Sequence, residues 1–323
     1  MTTADAPDKV EVRSWLPSFL VLAAIWGSSF LFIKVGIEEL HPVYVTLGRA
    51  ASGMITLLIV LLVLRDRLPR DRVLWFHLTV IGTIGVAVPF TLFGYGEQRV
   101  SSLLAGIWNA TTPLVVLPLA VLLFRTERMT VRKAIGMGLG FLGVLVVLGV
   151  WQGVGGAHFT GQIMCFVAAV CYGFVIPYSK KFVTNRPESG LSLAAGQLVT
   201  ATVVIAIVAP FVAGAPTPPS DLSAKAIGSV LILGAVGTGI AFVLNMRNIR
   251  LAGASTASMV TYLVPLFAVL LGVLVLDEHL AWHQPVGALI VLLGVAISQG
   301  VLSRRRATAA PSPPVDLADA KNR

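Results

Sequence analysis

The sequence predicts an all-α membrane protein with ten transmembrane helices, arranged as two inverted five-helix repeats around a central cavity. Three observations lead to this fold class. The chain is far more apolar than a soluble domain, its apolar residues form ten runs of membrane-spanning length, and its second half repeats landmarks of its first half. A soluble core could not hide so much apolar surface, so we expect lipid to surround the protein.

The ten apolar runs account for nearly the whole chain. Hydrophobic residues make up 56% of the 323 residues and charged residues 12%, against about 25% charged residues in ordinary soluble domains. A helix needs about 20 residues to cross the hydrocarbon core, and unbroken runs do not alternate as the strands of a membrane barrel do. The first run exceeds the core of a signal peptide, so we interpret it as an uncleaved helix. The predicted spans are residues 16–36, 43–64, 74–95, 102–124, 133–150, 160–179, 191–212, 226–246, 255–276 and 284–302.

The formal net charge of +9 comes from basic residues that are concentrated outside the predicted spans. Most lysines and arginines lie at the two termini or in every second loop, as in segments 65–72 and 125–133, whereas the intervening loops hold only Arg99 and Lys225. This positive-inside pattern predicts a multi-pass protein of the cell (cytoplasmic) membrane with both termini in the cytoplasm. The basic excess is therefore a topology signal, and we expect no nucleic-acid partner.

The second half of the chain returns to landmarks of the first. Each copy contains five spans, and because five is odd, the second copy enters the membrane with the opposite orientation. The matched positions are Ala105, Pro113 and Leu114 with Ala257, Pro265 and Leu266; after a shift of one residue, Glu127, Gly136, Leu142, Gly143 and Val144 with Glu278, Gly287, Leu293, Gly294 and Val295; and upstream, Ala23, Gly27 and Lys34 with Ala169, Gly173 and Lys180.

The repeat divides the chain into domains. Two five-helix repeats flank a short Gly-rich loop, and the Ala/Pro/Asp-rich C-terminal tail lacks periodicity, which predicts disorder. The predicted units are a cytoplasmic N-terminus at 1–15, a first repeat at 16–150, a connecting loop at 151–158, a second repeat at 159–302 and a cytoplasmic tail at 303–323.

Several of these residues carry a resemblance to a known family. The stretch from Ala24 to Phe30, with Trp26 and Gly27, resembles the first-helix signature of EamA-type members of the drug/metabolite transporter superfamily. Pro42 followed by Arg49 and the proline–glutamate–glycine order in both repeats are also similar, so the resemblance covers about residues 16–302. It implies a ten-helix basket around a cavity, alternating access, and export of small metabolites, such as amino acids or related compounds, or of drugs.

The second half differs from the first at two of the positions that carry this resemblance. Tyr172 stands where Trp26 would, and Gln197 stands where Arg49 would. The two halves therefore need not contribute equally to a substrate site, and the mismatched residues are candidates for substrate choice.

Arg49 is the charge placed deepest in a predicted span, about 9 Å from its start. A charge at a helix centre costs about 2.5–3.5 kcal/mol on insertion scales. Arg49 is therefore either a cavity cation that attracts an anionic group or a structural arginine bonded to backbone carbonyls, and the sequence leaves both open.

The fourth span has the most polar inner face. Ser102, Ala105, Asn109 and Thr112 lie on one side of the helix, and Pro113 removes a backbone hydrogen bond there. In the second copy, Ser258, Thr261, Tyr262 and Pro265 recreate the pattern. These faces either line the cavity or hydrogen-bond neighbouring helices. The predicted substrate-binding residues are Trp26, Arg49, Trp108, Asn109, Thr112, Tyr172, Gln197, Asn245, Thr261 and Tyr262, and the predicted kinks are Pro89, Pro113, Pro177 and Pro265.

Carboxylates are scarce inside the spans. Glu97, next to the third span, is the one modest candidate for proton coupling, with Lys34 as a further candidate, and facilitated diffusion or exchange is an equal alternative. The five histidines form no intramembrane ligand cluster, so we predict no metal site and no cofactor.

A secondary transporter of a small molecule is the function that these features favour. The alternatives are a membrane-embedded lipid-processing enzyme, which would need an acid–base constellation at membrane depth, and a non-transporting sensor, which would normally carry a soluble domain. We expect no enzymatic activity, and no P-loop motif supports an ATP-driven pump. The sequence does not distinguish a carrier from a channel or a monomer from a homodimer.

Overall fold

The computed structural model describes residues 12–152, 156–253, 257 and 259–300. Within those ranges the protein is helical and has no β-strand. The helices are α1 (Val12–Gly36), α2 (Pro42–Val63), α3 (Arg72–Glu97), α4 (Ser102–Leu123), α5 (Val131–Leu148), α6 (Gly156–Phe182), α7 (Gly190–Ala213), α8 (Ala224–Ala252), α9 (Val260–Leu276) and α10 (His283–Gln299). Two short 3₁₀ turns lie at Val150–Gln152 and Pro219–Asp221.

The helices confirm the predicted fold class. The first eight are long and apolar enough to cross a membrane, and α9 and α10 are apolar helices of 17 residues each. α3, α6 and α8 are longer than the predicted spans because their backbone hydrogen bonds continue past the apolar runs into polar residues. α6 begins inside the predicted connecting loop, and the predicted tail at 303–323 lies outside the described residues.

Short polar side chains begin many of the helices. Each accepts a hydrogen bond from a backbone N–H of the first turn, which satisfies a donor that would otherwise lack a partner at the membrane boundary. The capping residues are Asp71 for α3, Ser101 for α4, Thr130 for α5, Ser189 for α7 and Ser223 for α8.

Three helices are interrupted near the middle of the bundle. α3 and α8 contain π-helical segments at Thr83–Ala87 and Ala235–Ile240, which occupy matching places in the two repeats. α4 breaks before Pro113 and becomes π-helical at Leu119–Leu123. Proline removes a backbone donor, and wide turns often occur at functional sites. Pro89 follows the π-segment of α3, whereas α6 and α9 continue as regular helices across Pro177 and Pro265.

The packing of the helices follows a two-fold pattern. α1 packs on α8 and α9, and its repeat counterpart α6 packs on α3 and α4. In the same way α2 packs on α8 while α7 packs on α3. Three further contacts each join a helix to its own repeat counterpart: α2 with α7, α4 with α9, and α5 with α10. This pairing is the arrangement expected of inverted repeats.

We call one end of the bundle the inner end and the other the outer end, after the orientation that the loop charges predict. The inner end carries loops 64–71, 124–130 and 183–189. The outer end carries loops 98–101 and 277–282.

Candidate substrate cavity

A cavity of about 810 Å³ lies between the two halves, which is within the usual range of about 300–1,000 Å³ for small-molecule sites. Eight predicted substrate-binding residues line it. They are Trp26, Arg49, Asn109, Thr112, Tyr172, Gln197, Asn245 and Thr261.

The cavity reaches the inner end of the bundle. Its walls run from Arg49 and Phe93, near the outer ends of α2 and α3, to Glu127, Lys133 and Gln299 at the inner end. A second pocket of about 630 Å³ lies at the outer end and shares no lining residue with the first. The structure is therefore open toward the inner end and closed toward the outer end.

Arg49 is anchored to the second repeat by one hydrogen bond. Its side chain is buried, its Nε donates to Thr238 Oγ1 at 3.0 Å, and its guanidinium carbon lies 3.5 Å from the centre of the Phe90 ring. Among the described residues no carboxylate pairs with Arg49. The terminal guanidinium nitrogens therefore keep hydrogen-bond donors for a ligand.

A close helix contact fixes the position of Arg49. α8 passes so near α2 that a Cβ atom on Gly234 would lie 2.4 Å from the Arg49 carbonyl oxygen. Glycine permits this approach, which brings Thr238, one turn further along α8, within reach of the guanidinium. The second repeat thus orients the cation of the first repeat.

Aromatic rings form the wall beside Arg49. Phe93 is stacked against Tyr172 with ring centres 6.2 Å apart and meets Phe30 edge-on at 5.4 Å. Phe90, Phe93 and Thr238 also line the cavity, although they are not among the predicted substrate-binding residues. The internal repeat could have identified the two phenylalanines. The offset of 152 residues that pairs Gly82 with Gly234 also pairs Phe90 with Phe242 and Phe93 with Asn245. All four of these paired side chains, Phe90, Phe242, Phe93 and Asn245, line the cavity.

The polar face of α4 divides between two tasks. Asn109 and Thr112 line the cavity on either side of the helix break. Ser102, at the outer end of the same face, instead contacts Glu278. The face therefore serves both the cavity and the closed outer end.

Two predicted residues lie outside the cavity lining. Trp108 is fully buried on the other side of α4, where its Nε1 lies 3.3 Å from Gln162 Oε1 and its ring meets Phe166 edge-on. Tyr262 packs against the apolar core, although its neighbour Thr261 lines the cavity. Ser258 lies outside the residues whose structure is described.

The outer end is closed by four residues that we call the outer seal: Lys34, Glu97, Ser102 and Glu278. Glu278 accepts hydrogen bonds from Ser102 N (2.8 Å), Ser102 Oγ (2.7 Å) and Leu103 N (3.2 Å), so a carboxylate caps the N-terminus of α4. Lys34 Nζ donates to the carbonyl oxygens of Glu97 (2.5 Å) and Val100 (3.0 Å) and so stabilises the C-terminus of α3. Glu97 is completely buried.

Glu127, the repeat counterpart of Glu278, has different partners at the inner end. It accepts a hydrogen bond from Lys133 Nζ at 2.8 Å and lies 3.6 Å from Lys180 Nζ. The hydrogen bond from Lys133 lowers the pKa of the Glu127 carboxyl below its ordinary value. Glu127 therefore stays charged at neutral pH and holds its ion pairs beside the mouth of the cavity.

Comparison with known proteins assigns the family. The EamA-like transporter family matches residues 13–149 and again residues 159–299, once in each repeat. The chain belongs to this family. The resemblance inferred from the first-helix stretch and the repeated prolines is thus confirmed, and the protein is a multi-span membrane protein of a transporter family.

Named relatives cover most of this EamA-like chain. The uncharacterized transporter YoaV of Bacillus subtilis is 26% identical over 289 residues, which are 87% of this chain and 95% of YoaV. The probable terminal-alkyne amino-acid exporter of Streptantibioticus cattleyicolor is 29% identical over 299 residues, 90% of this chain and 96% of that protein. The uncharacterized inner membrane transporter YedA of Escherichia coli K12 is 28% identical over 267 residues, 80% of this chain and 83% of YedA.

A solved crystal structure supports the fold. It superposes on this chain with a TM-score of 0.64, covers 91% of this chain and 100% of its own, and is 17% identical in sequence. At that identity the likeness concerns the fold alone. The names of the family and of the three relatives above are those of transporters, not of enzymes.

Proposed function

We propose that this protein exports small amphipathic molecules that carry a carboxylate, such as amino acids, related metabolites or drugs. The observation that carries the proposal is Arg49, a cavity cation without an acidic partner among the described residues. A carboxylate would meet the guanidinium as a bidentate partner, and Phe93 and Tyr172 would cover an apolar side chain. Asn109 and Asn245, which also line the cavity, offer acceptors for an ammonium group.

The direction of transport rests on the loop charges. The positive-inside rule assigns the inner end and both termini to the cytoplasm, so the cavity of this state would load from the cytoplasm. A relative named as a probable amino-acid exporter is consistent with that direction. Labelling of cysteines introduced at Ser220 from outside and at Arg70 from inside would support this orientation, and the reverse labelling would contradict it.

Alternating access follows from the inverted repeats. The bonds of the outer seal are made in this state, whereas Glu127 is paired with lysines at the open inner end. In the alternate state the two ends would exchange these roles, so that the inner end closes and the substrate leaves from the outer end. The substrate crosses unchanged, which separates a transporter from a lipid-processing enzyme.

Counterflow in proteoliposomes tests this function. Vesicles preloaded with an unlabelled amino acid should accumulate the labelled one, since a carrier exchanges substrates and a channel does not. Arg49→Gln should lower the exchange about 10- to 100-fold, because a charge-assisted hydrogen bond contributes about 1.5–3 kcal/mol. Arg49→Lys should keep part of the activity, because lysine keeps the charge without the planar fork.

Arg99→Gln is the matched control. Arg99 is an exposed arginine of the outer pocket, and its Nη1 donates to the Tyr95 carbonyl oxygen. Exchange should be unaltered in this variant. Equal losses in the two arginine variants, or full activity of Arg49→Gln, would contradict the proposed role of Arg49.

A further inference from the structure

We propose that Glu97 binds a proton from the outer face, and that protonation of Glu97 stabilises the outer seal. The proposal rests on the alternating-access function above and adds a regulator to it. It makes the balance between the two states of the transporter depend on the pH outside the cell.

The first observation is the burial of the Glu97 carboxyl group. The side chain has 0% exposure, and neither carboxylate oxygen has a hydrogen-bond partner within the described part of the chain. An ionised carboxylate in such a place loses its hydration without compensation, whereas the neutral acid loses far less. The closed outer end is therefore a site for the protonated form.

The groups that face Glu97 do not supply the missing partner. Lys34 from α1 donates to backbone carbonyls and makes no ion pair with Glu97, and Arg49 from α2 is bonded to Thr238. Cys165 packs from α6, and Glu278 contributes a second negative charge from the α9–α10 loop. Lys34 and Arg49 favour the ionised form as nearby positive charges, but neither makes an ion pair with Glu97, and the like charge of Glu278 opposes ionisation.

The position of Glu97 gives the proton a route to the outer face. Glu97 is the last residue of α3, and the next residues, Gln98 and Arg99, line the outer pocket together with Lys34. On the cavity side, Phe93 lies one turn before Glu97 and contacts Phe30 edge-on, and both rings line the cavity whereas Glu97 does not. Opening of the seal would therefore expose Glu97 to outside water and release its proton there.

The repeat counterpart of Glu97 at the inner end is not a carboxylate. The buried, unpartnered carboxylate atom that the described inner loops contain is one oxygen of the partly exposed Glu188, outside the membrane helices. The 152-residue offset that pairs Gly82 with Gly234 puts Ile249 at the place of Glu97. Closing the outer seal takes up one proton from outside, and opening returns it to the same side, so the cycle moves no net proton. The regulation should respond to outside pH and not to cytoplasmic pH.

Spin-label distances test the proposal. In a background of Cys165→Ala and Cys171→Ala, labels at positions 99 and 279 form an outer pair, because both exposed residues line the outer pocket. For a one-proton equilibrium, the ratio of closed to open outer ends should rise by up to about tenfold for each unit by which pH falls. Glu97→Gln, which copies the neutral acid, should give the closed distance from pH 5 to pH 8.

Controls separate Glu97 from other titrating groups. Glu38→Gln removes an exposed outer carboxylate that pairs with Lys225 and should titrate like the parent. His158 and His283 also line the outer pocket and remain in Glu97→Gln, so a pH response that arises from a group other than Glu97 would persist in that variant. Glu97→Asp keeps an ionisable group and should keep the pH dependence.

Two results would overturn the proposal: a parent protein whose outer distance does not change with pH, or a Glu97→Gln protein that titrates like the parent. The first needs no variant and so stands even if Glu97→Gln folds poorly. Neither result removes the proposed transport function, which fails separately if labelled substrate shows no counterflow.

Discussion

The two ends of the bundle carry matching glutamates in different surroundings. Glu278 at the outer end caps the N-terminus of α4 through three hydrogen bonds, whereas Glu127 at the inner end pairs with Lys133 and Lys180 beside an open cavity. The two glutamates are repeat counterparts, but Lys133, which pairs with Glu127, is matched by Gln284 in the second repeat. Under the proposed alternating access, Glu278 shows the arrangement of a closed end and Glu127 shows the arrangement of an open end.

Removal of the outer carboxylate should give the largest effect on this comparison. Glu278→Gln keeps one acceptor oxygen but removes the charge, and a net loss equal to about one charge-assisted bond of about 1.5–3 kcal/mol should move the balance about 10- to 100-fold toward an open outer end. The outer spin-label pair should then show a longer distance. Glu38→Gln, an exposed outer carboxylate in an ion pair, should leave the distance unchanged, and an equal shift in both variants would remove Glu278 from the seal.

The inner carboxylate should act in the opposite direction and more weakly. In the state described here Glu127 is about a third exposed, and such ion pairs contribute about 0–1 kcal/mol. In the alternate state Glu127 would cap the N-terminus of α9, as Glu278 caps the N-terminus of α4 in this state. Glu127→Gln should therefore move the balance up to about tenfold toward the state described here. Labels at positions 128 and 250 form an inner pair. In Glu127→Gln a larger fraction of molecules should show the longer distance between these labels, which belongs to the open inner end.

The pH dependence of the inner end can be separated from that of the outer end. The pKa of Glu127 is lowered, so its ion pairs are complete above the ordinary glutamate value of about 4.3 and are lost only as pH falls through the lowered pKa. Between pH 5 and pH 8 the inner ion pairs should hold constant. If the distance between the labels at positions 128 and 250 changed with pH between pH 5 and pH 8 in the Glu97→Gln protein, this assignment would be contradicted.

The seam between α5 and α10 should have the smallest effect on the balance. A Cβ atom on Gly143 would lie 2.6 Å from Val291 N, whereas a Cβ atom on Gly138 would meet nothing within 4 Å. Gly143→Ala should lower the melting temperature, Gly138→Ala should not, and neither should change the ratio of the two spin-label distances. A shifted ratio in Gly143→Ala would mean that the seam takes part in switching.

The sequence predicted the helices and most of the cavity for a physical reason. Ten apolar runs and the loop charges record the bilayer directly, and polar residues such as Asn109 and Gln197 must avoid lipid, so they point inward. Phe90 and Phe93 escaped this argument because an aromatic ring is equally stable against lipid and in a cavity wall. They are distinguished only by their repeat counterparts, Phe242 and Asn245, which also line the cavity.

Other features depend on contacts between distant parts of the chain. The helical period places Trp108 beside the polar face of α4, but the packing of α4 against α6 directs its ring toward Gln162. Likewise, no local pattern shows that Glu278 reaches Ser102 or that Glu97 lacks a partner. Such facts follow from the tertiary arrangement of the two repeats.

The most direct test of alternating ends is the pair of distances measured on one protein in a bilayer. Saturating amounts of a transported, carboxylate-bearing substrate should shift the outer pair (99 and 279) and the inner pair (128 and 250) in opposite directions, with one distance lengthening as the other shortens. Two distances that lengthen together, as in an open channel, or that do not respond to a substrate with measured counterflow, would contradict the account.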